Sequence, residues 1–257
     1  MCFVMKKIFY VLIFLITTIS VKAQYYSLID EWEASIGYLN FQGDYGQRGD
    51  FSSTMGNVGG VIGGKIYFNL ANPNGAGKFF KFPLGFNTGY SVLSFDDAYN
   101  DVANTPGIEK IKAISGQVYF LNLSFGVEYH MTDLRNVNFF SDSFISKLDP
   151  YFGAGFGAMF YGVDVESDLG NYEKNPEILP AAFVNEIYSD PGIVPSLNLE
   201  LGIRYQISQE LQLSFNNKWM YFLSDKVDGL SPNPDLAENK YNDWLFSPSV
   251  GVVIFIY

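Results

Sequence analysis

The sequence predicts an all-β fold: an antiparallel up-and-down transmembrane β-barrel of about eight strands that follows a cleaved signal peptide. The clearest observation is the segment Pro195–Ile207, in which apolar side chains alternate with polar or small ones without exception. Because successive strand side chains point to opposite faces, one face of this strand is wholly apolar and the other carries charges. The pattern recurs along the chain, after an export signal and up to an aromatic C-terminal residue, which is typical of outer-membrane barrels.

The first 23 residues have the pattern of a signal peptide. Met5-Lys6-Lys7 is a short basic start, Ile8–Ile19 is apolar, and Val21-Lys22-Ala23 ends on the small residue that signal peptidase requires. The apolar run is shorter than the roughly 20 residues of a membrane-spanning helix, and we expect no such helix elsewhere. Residues 1–23 are therefore predicted to be a signal peptide and residues 24–257 a single barrel domain. Cys2 is the only cysteine and precedes the basic start, so neither a lipid anchor nor a disulfide is expected.

Composition narrows the class of protein and of partner. Aromatic residues make up 18% of the chain and charged residues only 17%, a bias expected when one whole face of a sheet meets lipid. The net charge of -11 argues against a nucleic-acid partner, since that would require a basic patch. A soluble β-sandwich is the alternative fold. It is disfavoured because a secreted sandwich of this size more often carries disulfides.

Eight segments alternate well enough to be predicted as strands. They are Glu31–Phe41, Val61–Leu70, Phe79–Val92, Gln117–His130, Pro150–Tyr161, Pro195–Ile207, Leu211–Leu223 and Trp244–Tyr257. The connections alternate in length, as expected for a barrel with both termini in the periplasm. The long ones, predicted to lie outside the cell, are Gly43–Gly60, Ser94–Gly116, Gly162–Val194 and Ser224–Asp243. Met131–Asp149 is long for a periplasmic turn, and a short helix or an extra turn is predicted there.

The aromatic residues of the predicted outward face form two belts. They are Trp32, Tyr129 and Tyr205 near periplasmic ends, and Tyr90, Tyr119, Trp219 and Tyr221 near outer ends. Tyr119 and Tyr129 share one face of one strand, and at ~3.3 Å per residue and ~45° tilt their separation projects to roughly 23 Å along the membrane normal. This matches an outer-membrane apolar band of about 25 Å.

The predicted inward faces are polar or small. They comprise Lys65, Tyr67 and Asn69; Lys81, Gly85, Asn87, Gly89 and Ser91; Asn122, Ser124, Gly126 and Glu128; Gly153, Gly155 and Gly157; Glu200 and Arg204; Ser214, Asn216 and Lys218. Side chains just fill an eight-stranded barrel, so we expect Glu128 and Glu200 to pair with Lys65, Arg204 or Lys218 and to plug the interior. In the last strand, Tyr257, Phe255 and Val253 are predicted to face lipid, which turns Val252, Ile254 and Ile256 inward.

Three short motifs could carry chemistry, and the sequence favours a structural interpretation of each. His130, the only histidine, lies at a periplasmic strand end with no Gly-x-Ser-x-Gly context, so a satisfied interior histidine is predicted. The stretch Asp164–Gly170 resembles the start of a calcium loop, but Asn175 stands where Glu is required. Arg48-Gly49-Asp50 copies an adhesion tripeptide in a turn context. No catalytic, cofactor-binding or metal-binding residue is therefore predicted.

The predicted outer loops carry most of the acidic residues. They include Asp96, Asp97, Asp101, Asp164, Glu166, Asp168, Glu173, Asp190, Asp228, Asp235 and Glu238. Divalent cations bridging to lipopolysaccharide phosphates would make such a rim tolerable, and solubility explains it equally well. Outer-membrane lipid and lipopolysaccharide are thus expected partners.

Three stretches resemble the PorG-like family of small outer-membrane barrels of Bacteroidota, which is associated with type IX secretion. They are Phe41-Gln42-Gly43-Asp44-Tyr45-Gly46, Pro150-Tyr151-Phe152-Gly153-Ala154-Gly155 and Leu223-Ser224-Asp225-Lys226-Val227-Asp228-Gly229-Leu230-Ser231. Their order and spacing are similar over most of the mature chain, and the match is nearer to an uncharacterised flavobacterial branch than to PorG itself. The resemblance implies a non-enzymatic barrel that anchors or contacts periplasmic secretion components.

Three functions are compatible with the sequence. The first is a structural or interaction barrel with periplasmic turns, among them Met131–Asp149, as contact surfaces for secretion machinery. The second is a narrow solute channel, for which the charged interior is the only support. The third, an outer-membrane enzyme acting on lipid, is weakened by the placement of His130. We expect the first.

Overall fold

A computed structural model describes residues 29–47, 49–68, 76–134, 143–231 and 242–256. Within these residues eight strands form one closed barrel in chain order. Their bounds are β1 Ile29–Gln42, β2 Val58–Phe68, β3 Phe80–Ser94, β4 Ile114–His130, β5 Leu148–Ser167, β6 Gly192–Gln206, β7 Leu211–Phe222 and β8 Trp244–Phe255. The predicted signal peptide lies outside the described residues.

Every neighbouring pair of strands is antiparallel, and β1 pairs with β8 to close the sheet. The stagger of the strands follows from the register. Starting at Trp32 and moving to the paired residue on each successive strand leads through Ile66, Leu84, Phe125, Phe156, Leu197, Tyr221 and Trp244 to Gln42. One circuit therefore climbs ten residues along β1, which corresponds to a strand tilt of about 40°.

The two ends of the barrel differ. The short connections, the start of β1 and the end of β8 lie at one end of the barrel, which we call the short-turn end. The long connections lie at the other, the long-loop end, and their described parts are residues 43–47, 49–57, 95–113, 168–191, 223–231 and 242–243. Among the described residues one α-helix, α1 Pro106–Lys112, lies in a long loop and begins after Thr105, whose hydroxyl caps it. Short 3₁₀ turns are Ala76–Phe79, Asp97–Tyr99, Ile145–Lys147 and Pro176–Ile178. Over the described part of the chain, no helix has the length and apolarity to cross a membrane.

All eight predicted strands are confirmed, and the main difference is length. β5 extends to Ser167 and β4 begins at Ile114, so these strands pair well beyond the predicted membrane band. The sequence did not indicate this extension because the outward side chains there, such as Asp164 and Glu166, are acidic. The predicted extra turn in Met131–Asp149 is present as Ile145–Lys147, while residues 135–142 lie outside the described residues.

The outer surface of the barrel is an apolar band between two aromatic belts. Trp32, Tyr90, Tyr119 and Tyr221 are exposed as predicted, and Tyr129, Tyr205 and Trp219 are partly exposed. Rings pack side by side along the belt at the short-turn end, as in Phe80–Tyr129 and Tyr129–Phe152 at centroid distances of 5.2 and 5.5 Å. The predicted two-belt arrangement is therefore confirmed.

The prediction for the last strand is wrong. Val253 and Phe255 are buried inside the barrel, whereas Val252, Ile254 and Ile256 are exposed on its outer surface. Tyr257 lies outside the described residues. The correct assignment follows from the middle of the strand, where Ser247 and Gly251 point inward and leave the bulkier residues on the other face. The terminal aromatic residue was therefore a poorer guide to the facing than this small-residue pattern.

Candidate functional site

The interior nearest the short-turn end is filled by a buried layer of charged residues. Its described members, which we call the charged layer, are Glu31, Glu33, Lys65, Lys81, Glu128, His130, Asp149, Glu200, Arg204 and Lys218. They converge from seven of the eight strands, β1 to β7, because each lies at an inward position of the alternating pattern. A buried charge is tolerated only when it is paired.

Lys65 lies at the centre of the charged layer. Its Nζ donates to Glu128 Oε1 at 2.8 Å and to Glu200 Oε1, and lies 3.7 Å from Glu33 Oε2. Tyr151 donates from its hydroxyl to the same Glu200 oxygen at 2.8 Å. Lys218 Nζ lies 3.5 Å from the other oxygen, Oε2. The prediction that Glu128 and Glu200 pair with interior cations is thus confirmed, with Lys65 as the partner of both and Lys218 as a second partner of Glu200.

Arg204 joins a second set of carboxylates near the short-turn end. Its guanidinium donates to Glu31 Oε2 at 2.6 Å and lies within 3.5 Å of Glu33 and 3.7 Å of Glu128. Lys81 donates to Glu31 as well, at 2.6 Å. Glu31 and Glu33 are interior residues that were not predicted from the sequence. The signal was present, since they flank Trp32, which was predicted to face outward.

His130 is a structural member of this layer. Its Nδ1 lies 2.6 Å from Asp149 Oδ2 and its Nε2 lies 3.2 Å from Glu128 Oε2. Its ring stacks on Tyr151 at 4.9 Å. Both ring nitrogens therefore face carboxylates, which leaves neither free to take a proton from a serine hydroxyl. The predicted satisfied interior histidine is confirmed.

The charged layer leaves little space. A cavity of about 30 Å³ lies beside Lys65, Glu128, Glu200 and Lys218 against the glycine-rich wall of β4 and β5. This volume holds about two water molecules. Gly153 permits the close packing, because a Cβ there would lie 2.8 Å from Glu128 Cγ.

The interior towards the long-loop end is apolar, and loop residues fold into it. Strand residues such as Leu39, Phe120 and Met220 form one buried cluster with Tyr45, Phe95 and Phe183 from the loops. The Tyr45 and Phe95 rings pack at 4.8 Å and those of Phe95 and Phe183 at 5.7 Å. We call this cluster the loop core. The loop core closes the barrel on the side opposite the charged layer and was not predicted from the sequence.

Backbone hydrogen bonds to buried carboxylates hold the long loops together. Asp228 accepts from the backbone N–H groups of Asp44 and Leu230, the latter at 2.9 Å. Asp243 accepts from the N–H of Val227 at 2.9 Å. Burial raises the pKa of the nearby Tyr45 hydroxyl well above its ordinary value, with a further contribution from Asp228, so this hydroxyl stays protonated.

The three stretches that resemble PorG-like barrels lie in the long loops next to the loop core and in the wall of the charged layer. Phe41–Gly46 is wholly buried and meets Leu223–Ser231 through the Asp44–Asp228 hydrogen bond. Pro150–Gly155 supplies Tyr151 and the glycine wall of the charged layer. The residues that carry the resemblance are therefore those that close the interior.

The other two motifs have structural positions as well. Asp164 and Glu166 lie on strand β5, not in a loop, and among the described residues no group of His, Cys, Asp and Glu could hold a metal ion. The calcium-loop interpretation is not supported. Gly49 has φ +83° and Asp50 accepts from the Ser52 N–H at 2.9 Å, which is a turn as predicted. Arg48 lies outside the described residues.

Comparisons with known proteins give fold-level similarity alone. No protein-family profile and no curated protein matches the sequence. Neisserial surface protein A is 12% identical with a TM-score of 0.43, covering 88% of this chain and 97% of its own. The outer membrane protein OprG of Pseudomonas aeruginosa is 12% identical with a TM-score of 0.45, and the match covers 89% of this chain and 96% of OprG. Ail, the attachment invasion locus protein of Yersinia pestis, was solved with the heparin analogue sucrose octasulfate. It is 12% identical with a TM-score of 0.40, and the match covers 88% of this chain and 99% of Ail.

Removing one carboxylate from the charged layer should destabilise the barrel. Glu200→Ala leaves the Lys65 and Lys218 ammonium groups less compensated, and we expect the free energy of unfolding to fall by about 3–5 kcal/mol. Glu166→Ala on the exposed outer wall is the matched control, with an expected change within about 0.5 kcal/mol. Urea titration of the barrel in detergent micelles measures both. Equal, small changes would mean that water solvates the interior.

A methyl group at Gly229 should loosen the long loops. Gly229 has φ +85° and a Cβ there would lie 2.7 Å from Val163 Cγ2 and from Val165 Cγ2. Gly49, with φ +83° and no described atom within 4 Å of a built Cβ, shares only the backbone cost of about 1–2 kcal/mol. Because of the clash with the two valines, we expect Gly229→Ala to lower the free energy of unfolding by about 1–3 kcal/mol more than Gly49→Ala does. The readout is tryptic cleavage after Lys226, which should be faster in Gly229→Ala than in Gly49→Ala. The same rate in both would show that the loop core does not restrain this segment.

Proposed function

We propose that the protein is a non-enzymatic integral outer-membrane barrel that acts as an anchor or interaction component, with type IX secretion machinery as its periplasmic partner. The observation that carries this proposal is the filled interior. The charged layer closes the short-turn half and the loop core closes the long-loop half, so the barrel offers a rigid scaffold and not a path for solutes.

The membrane location rests on the outer surface of the strands. Large apolar side chains such as Ile36, Phe86 and Leu199 are 44–63% exposed there, which in water would be an unfavourable continuous patch. In a bilayer the same residues contact acyl chains, and the closed sheet leaves no unpaired backbone edge in lipid. The aromatic belts lie where the headgroups would be.

The short-turn end offers a surface for a periplasmic partner. Met131, Phe144 and Ile145 are 58%, 64% and 77% exposed, and the 3₁₀ turn Ile145–Lys147 lies next to β5. The Phe144 ring packs at 5.1 Å on Tyr205 of the aromatic belt, so this surface begins at the membrane boundary. Exposed apolar side chains on a rigid turn are typical of a contact site. The association with type IX secretion is supported by the three PorG-like stretches alone. At the opposite end, exposed loop acids such as Asp96, Asp101 and Asp168 support lipopolysaccharide as a partner through bridging divalent cations, whereas Asp228 is buried.

Co-purification from outer membranes tests the proposed function. We expect periplasmic secretion components to be recovered with the wild-type barrel and to be lost when Phe144 and Ile145 are both replaced by Ser. The control is Phe51→Ser at the long-loop end, where Phe51 is 46% exposed. Recovery of no periplasmic protein, or equal recovery with both variants, would overturn the anchor proposal at this surface.

A further inference from the structure

Asn217 is a polar side chain in the middle of the apolar outer band. It is exposed on β7 between Phe215 and Trp219. Tyr221, in the belt at the long-loop end, lies four residues further on, which is about 10 Å along the membrane normal. Leu211, at the short-turn end, lies six residues in the other direction. The carboxamide is therefore placed at the depth of the acyl chains.

The other outward-pointing carboxamides of the described strands have partners. Asn40 donates to the Thr54 carbonyl at 2.6 Å, and Gln42 donates to the Thr54 hydroxyl at 2.6 Å. Gln117 accepts from the Tyr119 hydroxyl at 2.6 Å. No hydrogen bond within the described chain involves the Asn217 carboxamide. Leaving it unpaired in lipid is costly, so an intramembrane polar residue of this kind indicates a contact.

The sheet around Asn217 is indented. A groove of about 400 Å³ runs across β7, β8 and β1, and its outward-facing walls are Ile36, Tyr38, Phe215, Asn217, Pro248 and Val250. Pro248 pairs with Asn217 across the sheet and has no N–H to donate. The Tyr38 carbonyl is instead satisfied by the Ser247 hydroxyl at 3.0 Å. This hydrogen bond satisfies the carbonyl that faces the proline, so the groove leaves that backbone group paired.

We propose that this groove is the interface with a second copy of the chain, paired about a two-fold axis along the membrane normal. The proposal rests on the membrane location argued under Proposed function. Two copies inserted in the same direction hold Asn217 at the same depth, so a two-fold axis brings the residue against its own copy. A carboxamide carries both donors and an acceptor, and two of them satisfy each other reciprocally.

Disulfide trapping tests this pairing. In a Cys2→Ser background, which removes the only cysteine of the chain, Asn217→Cys should form a disulfide-linked dimer when oxidised in native outer membranes. Co-expression of two differently tagged copies shows that both halves are this chain. The matched control is Leu84→Cys. Leu84 is 44% exposed on β3, on the opposite side of the eight-stranded barrel, so this variant should stay monomeric.

A second variant tests the role of the carboxamide itself. Asn217→Leu keeps an apolar, lipid-facing surface and should fold, but its dimer should dissociate about 3-fold to 30-fold more readily, on the scale of side-chain hydrogen bonds in membranes. Sedimentation in detergent micelles measures this against the wild type. An unchanged dimer would overturn the assigned role of Asn217.

The outcomes separate this inference from the proposed function. A membrane-bound barrel whose Asn217→Cys form stays monomeric, or cross-links to a different protein, overturns the paired copy and leaves the anchor proposal standing. A wild-type protein absent from the outer-membrane fraction overturns both. A dimer at position 217 without recovery of periplasmic components supports the interface and overturns only the anchor.

Discussion

The pairing of β1 with β8 is the constraint from which the rest of the structure follows. Their register, from Glu31 with Phe255 to Gln42 with Trp244, leaves the sheet without an edge, as a strand-built protein in lipid requires. Closure of eight strands also fixes the width of the interior, which side chains just fill. Inward charges therefore have no room to stay hydrated and must pair with one another.

The two halves of the interior satisfy that requirement in different ways. Near the short turns, Lys65 and Arg204 each contact several carboxylates. A buried network of this kind is weak support for stability, since an apolar core of the same volume is often as stable. Near the long loops, apolar strand residues pack against loop residues. Together the two halves fill the interior of the barrel.

The sequence predicts much of this structure because the barrel obeys a local rule. Side-chain alternation identified all eight strands, the two belts and the pairing of Glu128 and Glu200. It failed where the decisive contact is not local. The terminal aromatic was given more weight than Ser247 and Gly251, which reversed the facing of β8. The loop core depends on loops from different parts of the chain meeting one another, as when Asp228 accepts from Asp44, and no periodic pattern records such contacts.

The most direct test of a closed interior is conductance across a planar bilayer that contains the purified barrel. A filled interior passes no steady current, and the cavity beside Lys65 has a volume of only about 30 Å³. We therefore expect silent membranes, with correct folding verified by the fast migration of the unboiled protein on a denaturing gel. A steady wild-type current whose selectivity moves towards anions in Glu200→Ala would contradict the closed interior and identify a channel.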